Sequence, residues 1–295
     1  MSSSAGHARV GFSPVAIVGM ACRLPGACNE GEFWRLLEEG CCAVGALPEG
    51  RWRPERYFHP RMAEPGFSYC FSGGYIADPF GFDPTVFRIS PREAAEMDPQ
   101  QRLLLEVVWD ALEDCGIAPS AVAGSNVGVY VGASSLDYGN LLTVDPAAIE
   151  SHFMTGNTLS VLSNRISYIF DLRGPSFTVD TACSSSLVAF AEAQAAISCG
   201  RIDMAIVAGV NMLLSPTSFI GFSRASMLSP TGLCRPFSAQ ADGYVRAEGA
   251  VAVVLAKLET AVARRYPVRA VAIASGVNSD GRTNVISLPS VDGQR

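Results

Sequence analysis

The chain has 295 residues, of which 48% are hydrophobic and 17% charged, so it can bury a core in one or two domains and is not disordered as a whole. Its 22 basic and 28 acidic side chains leave a net charge of −6, which argues against a nucleic-acid partner. No apolar run approaches the roughly 20 residues that span a bilayer, and the first residues do not read as a signal peptide. We therefore expect no membrane partner and a cytoplasmic location.

The cysteines and histidines do not form a metal-binding pattern. Nine cysteines are scattered along the chain without a Cys-x-x-Cys pair, and the three histidines are far apart. We expect reduced thiols and no metal site.

Short β-branched runs alternate with helical patterns, which is typical of an α/β fold with a largely buried sheet. In chain order the pattern predicts a strand at 15–20, a helix from Asn29, a Gly- and Pro-rich loop at 41–84, a helix at 98–115, a strand at 127–132, a helix at 159–170, a strand at 177–180, a helix at 184–199, strands at 203–210 and 250–258 around a loop at 214–249, and a strand at 268–277.

Two of the predicted helices carry specific signals. In the helix at 98–115, Asp98 is the expected N-cap, Pro99 stands in the first turn and Gly116 ends the helix. The helix at 184–199 is apolar or small on every side, so we expect it to be central and buried.

A cysteine, Cys183, stands in the turn between the predicted strand at 177–180 and the helix that follows. Unpaired N–H groups and the positive end of the helix dipole stabilise a thiolate at such a position. A sharp strand-to-helix turn also exposes a nucleophile and lets its own N–H receive an oxyanion. The alternative is a buried structural cysteine, and the local features leave both interpretations open.

The segment around this cysteine, Asp180 to Leu187, resembles the nucleophile motif of the β-ketoacyl synthases, specifically of the ketosynthase domains of type I polyketide synthases. Other segments similar to that family are Val15 to Gly26, Phe80 to Arg102, Asn164 to Tyr168, Cys234 to Phe237, Ala241 to Gly249 and Asn278 to Arg282. The resemblance covers the chain from about Val15 to its C-terminus.

The resemblance implies a thiolase-like fold, an α/β/α/β/α sandwich of two similar halves, of which this sequence holds the N-terminal half and the start of the second. We expect a short leader at 1–14, a β-ketoacyl synthase N-terminal domain at 15–260, and the incomplete beginning of the C-terminal domain at 261–295. The family also implies a homodimer, and further synthase domains on the same polypeptide are expected.

The implied activity is that of a β-ketoacyl synthase, an acyltransferase of polyketide or fatty acid biosynthesis. An acyl group passes from an acyl carrier protein to Cys183, and a malonyl-type extender then condenses with it in a decarboxylative Claisen reaction. The substrates are carried on the phosphopantetheine of the carrier protein, and no cofactor is bound directly. The backbone near the nucleophile, at Cys183 and Ser184, is the candidate oxyanion-binding region.

The family's two active-site histidines lie in an E-A-H-G-T-G-T block and a K-x-N-x-G-H block, and neither block occurs in this sequence. His7, His59 and His152 do not substitute for them, so full activity is expected to need a missing C-terminal half. The alternative function is a non-catalytic or degenerate ketosynthase-like half-domain. A cysteine hydrolase is disfavoured, because no histidine motif supplies a base for the thiol.

The remaining candidate residues are peripheral to the nucleophile. Met154, Thr155 and Phe222 are candidates for the acyl pocket or the dimer interface, although a phenylalanine such as Phe222 is more often a core residue. Asp180 is interpreted as a helix cap and not as an acid partner of Cys183. Ala247 replaces a glycine common in the family, and a serine stands at 238 where aspartate is more frequent.

Overall fold

A computed structural model of the chain describes residues 13–286 and 288–294. The predicted leader at 1–14 lies outside the described residues except for its last two positions. The strands are β1 (Val15–Arg23), β2 (Val44–Gly45), β3 (Gly73–Gly74), β4 (Val127–Gly132), β5 (Ser176–Val179), β6 (Met204–Asn211), β7 (Arg246–Ala247), β8 (Gly249–Lys257) and β9 (Ala270–Ala272). The α-helices are α1 (Glu30–Glu38), α2 (Pro91–Glu96), α3 (Pro99–Asp114), α4 (Asp137–Leu142), α5 (Phe153–Asn157), α6 (Leu159–Ile169), α7 (Ser185–Ser198), α8 (Thr217–Arg224), α9 (Leu258–Arg264) and α10 (Val291–Gln294).

A mixed sheet of six strands, in the order β5-β4-β6-β8-β1-β9, organises the described residues. Strand β4 pairs in parallel with both β5 and β6, whereas β8 is antiparallel to β6 and to β1. The carboxyl ends of β4, β5 and β6 therefore meet at one edge of the sheet, which is where α/β proteins commonly bind ligands.

Both faces of the sheet are covered, because its central strands are apolar on each face. On one face, Val129 and Ile206 belong to a cluster that also contains buried residues of α3 and α6. On the other face, Tyr130 and Val207 pack with Ala189 and neighbouring residues of α7. This three-layer arrangement confirms the predicted α/β class.

A third apolar cluster joins the two long segments predicted as loops, 41–84 and 214–249. Tyr69 and Phe71 of the first segment pack with Phe219 and Leu228 of the second and with Leu213 just before it. The first segment contributes the short strands β2 and β3, and the second contributes α8 and β7. These elements were missed because each is short and has no periodic apolar pattern of its own.

Two predictions about elements need correction. Helix α7 is not buried on every side, since Leu187 is 74% exposed. The described residues bury only the side of α7 that packs on the sheet. The prediction was wrong because a helix of small and apolar residues is buried only where another element covers it. The strand predicted at 268–277 is limited to β9, which pairs with the first residues of β1.

The end signals predicted for α3 are confirmed, and the predicted start of α1 at Asn29 is also a cap. Asn29 caps α1 by accepting a hydrogen bond from the Glu32 N–H at 2.9 Å, and Asp98 caps α3 by accepting one from the Gln100 N–H at 2.8 Å. Gly116 follows α3 with φ at +71°, a value that favours glycine. None of the helices among the described residues combines the length and apolar character of a membrane span.

Candidate active site

The candidate nucleophile lies at the sheet edge formed by the carboxyl ends of the parallel strands. Strand β5 ends at Val179, a single 3₁₀ turn covers Ala182–Ser184, and α7 begins at Ser185. Cys183 is the middle residue of that turn, and it is exposed with a free thiol. The thiol can therefore be approached from solvent in the part of the chain that the structure describes.

The backbone just before the cysteine is held in an unusual conformation. Ala182 has φ at +55°, in the left-handed region that residues other than glycine rarely adopt. The Asp180 carboxylate accepts a hydrogen bond from the Ala182 N–H at 2.9 Å. Asp180 thus holds the sharp turn that precedes Cys183. The prediction that Asp180 caps α7 is wrong, because its carboxylate bonds to this turn and not to the N–H groups at the start of the helix.

Two serines tie this turn to the first residues of α7. The buried Ser185 hydroxyl accepts a hydrogen bond from the Thr181 N–H at 2.9 Å and donates one to the Ala182 carbonyl at 2.6 Å. The Ser184 hydroxyl donates to the Thr181 carbonyl at 2.9 Å. Cys183 is therefore flanked on both sides by residues whose positions are fixed by hydrogen bonds.

The backbone N–H groups of this turn are the candidate oxyanion donors. Within the described residues, no hydrogen bond engages the Cys183 N–H, and the Ser184 N–H makes only a long one, 3.4 Å, to the Thr181 carbonyl. No side chain caps the N-terminus of α7. A negative oxygen next to the thiol would meet these donors and the positive end of the helix dipole.

Phe222 packs against two side chains that precede β8, Tyr244 and Arg246. Its ring meets the Tyr244 ring edge-on at 5.6 Å between centroids, and the Arg246 guanidinium lies 4.7 Å from the Phe222 centroid. Burial raises the pKa of Tyr244, the charge and hydrogen bond of Arg246 oppose the rise, and the charge of Cys183 adds a smaller contribution to it. Tyr244 and Arg246 are not among the candidate site residues predicted from the sequence, although both lie in the segment Ala241 to Gly249, which resembles the family.

Met154 and Thr155 lie on α5, and both are exposed. The Thr155 carbonyl accepts hydrogen bonds from the Gln101 side chain at 3.1 Å and from Arg165 at 3.2 Å. No hydrogen bond, ion pair or ring contact between described residues joins Met154 or Thr155 to Cys183. The structure thus places these two candidates on a well-anchored turn without connecting them to the nucleophile.

The other titratable groups do not converge on the thiol. Among the described residues, no three His, Cys, Asp or Glu side chains are grouped as ligands of a metal ion. His59 accepts a hydrogen bond at Nδ1 from the Arg61 N–H, and His152 precedes α5. The site is therefore a single exposed thiol beside backbone N–H donors.

The chain is similar to known proteins over nearly its whole length. Residues 12–261 match the family described as "Beta-ketoacyl synthase, N-terminal domain". A mycocerosic acid synthase-like polyketide synthase of Mycolicibacterium smegmatis is 46% identical over 284 residues, which are 96% of this chain and 13% of that protein. One component of the phenolphthiocerol/phthiocerol polyketide synthase of Mycobacterium tuberculosis is 44% identical over 95% of this chain and 18% of that protein.

Solved ketosynthase structures share the fold. An oxazolomycin ketosynthase domain of Streptomyces albus superposes with a TM-score of 0.91 at 38% identity, covering 96% of this chain and 49% of that one. The ketosynthase from module 6 of the bacillaene synthase of Bacillus subtilis superposes with a TM-score of 0.87 at 40% identity, covering 95% of this chain and 46% of that one.

The chain therefore spans about half the length of these solved ketosynthases and less than a fifth of the curated synthases. The likeness to the ketosynthases confirms the predicted thiolase-like fold, as far as the first of its two halves. By sequence and by fold, the chain belongs to the β-ketoacyl synthase family, whose N-terminal domain it contains.

Proposed function

We propose that Cys183 is the acyl-accepting nucleophile of a β-ketoacyl synthase of polyketide or fatty acid biosynthesis. One observation carries the proposal: an exposed thiol stands in a strand-to-helix turn beside backbone N–H groups that lack strong partners. This arrangement supplies a nucleophile and a place for the oxyanion that forms when it attacks a carbonyl.

In the first step the Cys183 sulfur attacks the carbonyl carbon of an acyl thioester. A new carbon–sulfur bond forms at Cys183, the bond to the donor sulfur breaks, and the donor leaves as a thiol that takes up a proton. The N–H groups of Cys183 and Ser184 are proposed to stabilise the negative oxygen of the tetrahedral intermediate.

In the second step a malonyl-type extender loses carbon dioxide, and the resulting enolate attacks the acyl-Cys183 thioester. The Cys183 thiolate is the leaving group and is regenerated. The described residues around Cys183 include no histidine that could polarise the extender. We therefore propose that the histidines needed for this step come from elsewhere in the protein that carries this chain.

The proposed acyl donor is an acyl carrier protein whose phosphopantetheine holds the substrate, so the chain itself binds no cofactor. A homodimer, further synthase domains on the same polypeptide and a cytoplasmic location complete the proposal. The relatives support it in that they are named polyketide synthases of much greater length. The boundaries at 15–260 and 261–295 stay proposals of the same kind.

Phe222 is proposed to line the acyl pocket, because its ring packs edge-on against Tyr244, whose pKa the charge of Cys183 raises by a small contribution. Met154 and Thr155 are proposed to lie at the dimer interface and to border the acyl pocket of the second subunit. Their exposure on α5 supports a contact outside this chain.

The test is acylation of the protein that carries this chain. Incubation with an acyl-carrier-protein thioester is expected to add one acyl mass to the Cys183 peptide. Cys183→Ala is expected to abolish the adduct and to change the free energy of unfolding by less than about 1 kcal/mol, since alanine fits an exposed position. The matched control is Cys28→Ala, which removes another exposed free thiol.

Two outcomes would contradict the proposal. An adduct on another cysteine would remove Cys183 from its role. A wild-type protein that folds but is never acylated would favour the degenerate, non-catalytic alternative.

A further inference from the structure

Two glycines leave a bare patch on the sheet directly beneath the N-terminus of α7. Gly132 is the last residue of β4, Gly209 lies in β6, and the two are paired across the parallel strands. Neither has a positive φ. The backbone conformation therefore does not require glycine at these positions, and what the missing side chains provide is room above the sheet.

The helix fills that space at very short range. A Cβ atom on Gly132 would lie 2.4 Å from the Ser186 nitrogen and 2.5 Å from the Ser185 carbonyl carbon. A Cβ atom on Gly209 would lie 2.9 Å from the Ser186 Cβ. Any side chain on Gly132 thus requires the backbone of the first turn of α7 to move, because both nearest atoms belong to the main chain.

A shift of this turn would be passed to the nucleophile through Ser185. The Ser185 hydroxyl binds the Thr181 N–H and the Ala182 carbonyl, the residues just before Cys183. Ser185 is buried and follows Cys183 by two positions. The glycine patch, the first turn of α7 and the strained turn at Ala182 therefore form one continuous packed unit.

We propose that Gly132 and Gly209 are positioning residues for Cys183: they let α7 approach the sheet closely enough to set the sulfur and the adjacent N–H groups for attack on a thioester. The inference rests on the proposed role of Cys183. A displacement of about 1 Å at a reacting group can cost about a hundredfold in rate, so the effect on catalysis is expected to exceed the effect on folding.

The test measures the reactivity of Cys183 in the protein that carries this chain. The probe is iodoacetamide, and the rate of alkylation of the Cys183 peptide is followed by mass spectrometry from pH 6 to pH 10. Gly132→Ala is expected to slow acyl transfer to Cys183 at least tenfold and to displace the pH profile of its alkylation. Alkylation of the exposed Cys41 in the same samples is expected to stay unchanged.

Gly128→Ala is the matched control, because Gly128 lies on the same strand at its other end. There an added Cβ would meet the Tyr130 ring at 2.7 Å and the Ile202 Cδ1 at 2.9 Å. These two side chains pack with Ala189 and later residues of α7 and not with its first turn. This variant is expected to lose stability while the pH profile and acylation of Cys183 remain those of the wild type.

A rescue experiment separates positioning from general damage. Gly209→Ala is expected to slow acylation, and adding Ser186→Gly removes the Cβ atom it would meet and is expected to restore most of the rate. If Gly132→Ala does not fold, this pair decides the question.

Wild-type reactivity at Cys183 in folded Gly132→Ala and Gly209→Ala would overturn the inference. That result differs from failure of the proposed function, in which the wild-type Cys183 would not be acylated by a carrier thioester at all. A changed alkylation profile in Gly132→Ala would still establish the positioning role in that case.

Discussion

At the scale of single residues, the strain at Ala182 is the feature most closely tied to the candidate chemistry. Its φ of +55° places an L-residue with a Cβ atom in the left-handed region, which costs about 1–2 kcal/mol. The hydrogen bonds of Ala182 with Asp180 and Ser185 hold it there. Strain that the surroundings enforce at a functional site is a means of pre-organisation.

Ala182→Gly is therefore expected to separate stability from reactivity. Glycine adopts this φ without strain, so the free energy of unfolding should stay the same or rise by up to about 1 kcal/mol. The more flexible turn should hold Cys183 less firmly, and acylation is expected to slow several-fold. Urea unfolding and the acylation rate, measured on the same protein, check the two effects.

Ala63 offers a matched control, since it has φ at +56° in the loop between β2 and β3. Ala63→Gly is expected to relieve the same strain without changing the acylation of Cys183. A loss of stability in Ala182→Gly, or an unchanged acylation rate, would contradict the role assigned to the strained turn.

The sequence identifies Cys183 because the motif around it is local, and a strand, a turn and a helix follow one another there. The glycine patch cannot be found in the same way. Gly132 and Gly209 meet only through the register of two strands that are far apart in the chain, and Ser186 reaches them from a third element. Tyr244 was missed because its relation to Cys183 depends on how a long loop folds back.

At the scale of elements, the cap of α3 is both a start signal and a buried ionisable group. The Asp98 carboxylate accepts from the Gln100 N–H at 2.8 Å and from the Gln100 side chain at 3.0 Å. Burial nevertheless raises the pKa of Asp98 to about 6, and the charge of Asp137 adds to the rise while Arg102 opposes it. The carboxylate form is thus costly in the folded state.

The sign of the pH effect follows from the raised pKa. The folded state binds the proton of Asp98 more tightly than the unfolded state, so protonation of Asp98 stabilises the fold. This stabilisation is complete below about pH 4 and is lost as the pH rises through 6. Asp98→Asn removes the titration. The free energy of unfolding of Asp98→Asn relative to wild type is expected to rise by up to about 3 kcal/mol from pH 4 to pH 7, as measured by urea unfolding.

Asp83 provides a control of opposite sign. Hydrogen bonds from the Thr85 side chain and N–H hold the pKa of the exposed Asp83 below its usual value. The free energy of unfolding of Asp83→Asn relative to wild type should therefore fall as the pH rises. This change should occur at a lower pH than the change expected for Asp98→Asn. A difference for Asp98→Asn that does not change between pH 4 and pH 7 would refute the assignment.

The same scale shows why some elements could be predicted and others not. Strands β1, β4, β6 and β8 and helix α3 have long apolar patterns because each packs on the central core. Helix α4 has no such pattern and depends on a distant segment, where its Asp137 side chain accepts hydrogen bonds from the Leu214 and Ser215 N–H groups. Tertiary contacts of this kind leave no periodic signal in the sequence.

At the scale of the whole molecule, a buried ion pair joins three distant parts of the chain. Arg51 lies in the segment between α1 and β3, and its guanidinium binds the Glu248 carboxylate at 2.7 Å; the two side chains are 3% and 0% exposed. Glu248, which lies between β7 and β8, also accepts hydrogen bonds from the Ile76 N–H at 2.8 Å and from the Leu213 N–H at 3.0 Å. Burial raises the pKa of Glu248, and the hydrogen bonds from Ile76 and Leu213 together with the charge of Arg51 oppose the rise.

Replacing one partner of this ion pair is expected to lower the free energy of unfolding strongly, whereas replacing both partners is expected to lower it by less than the sum of the single changes. Glu248→Gln leaves the Arg51 charge buried without a carboxylate and should lower the free energy of unfolding by about 3–5 kcal/mol, and Arg51→Met should cost a similar amount by isolating Glu248. The double variant should cost less than the sum, because neither charge is then left alone; a double-mutant cycle in urea measures the difference. The exposed pair Arg92–Glu150, with side chains 69% and 55% exposed, is the matched control, and its single variants should cost less than about 1 kcal/mol. Additive effects at Arg51 and Glu248 would show that the three segments are held together by apolar packing and that the ion pair contributes no coupling of its own.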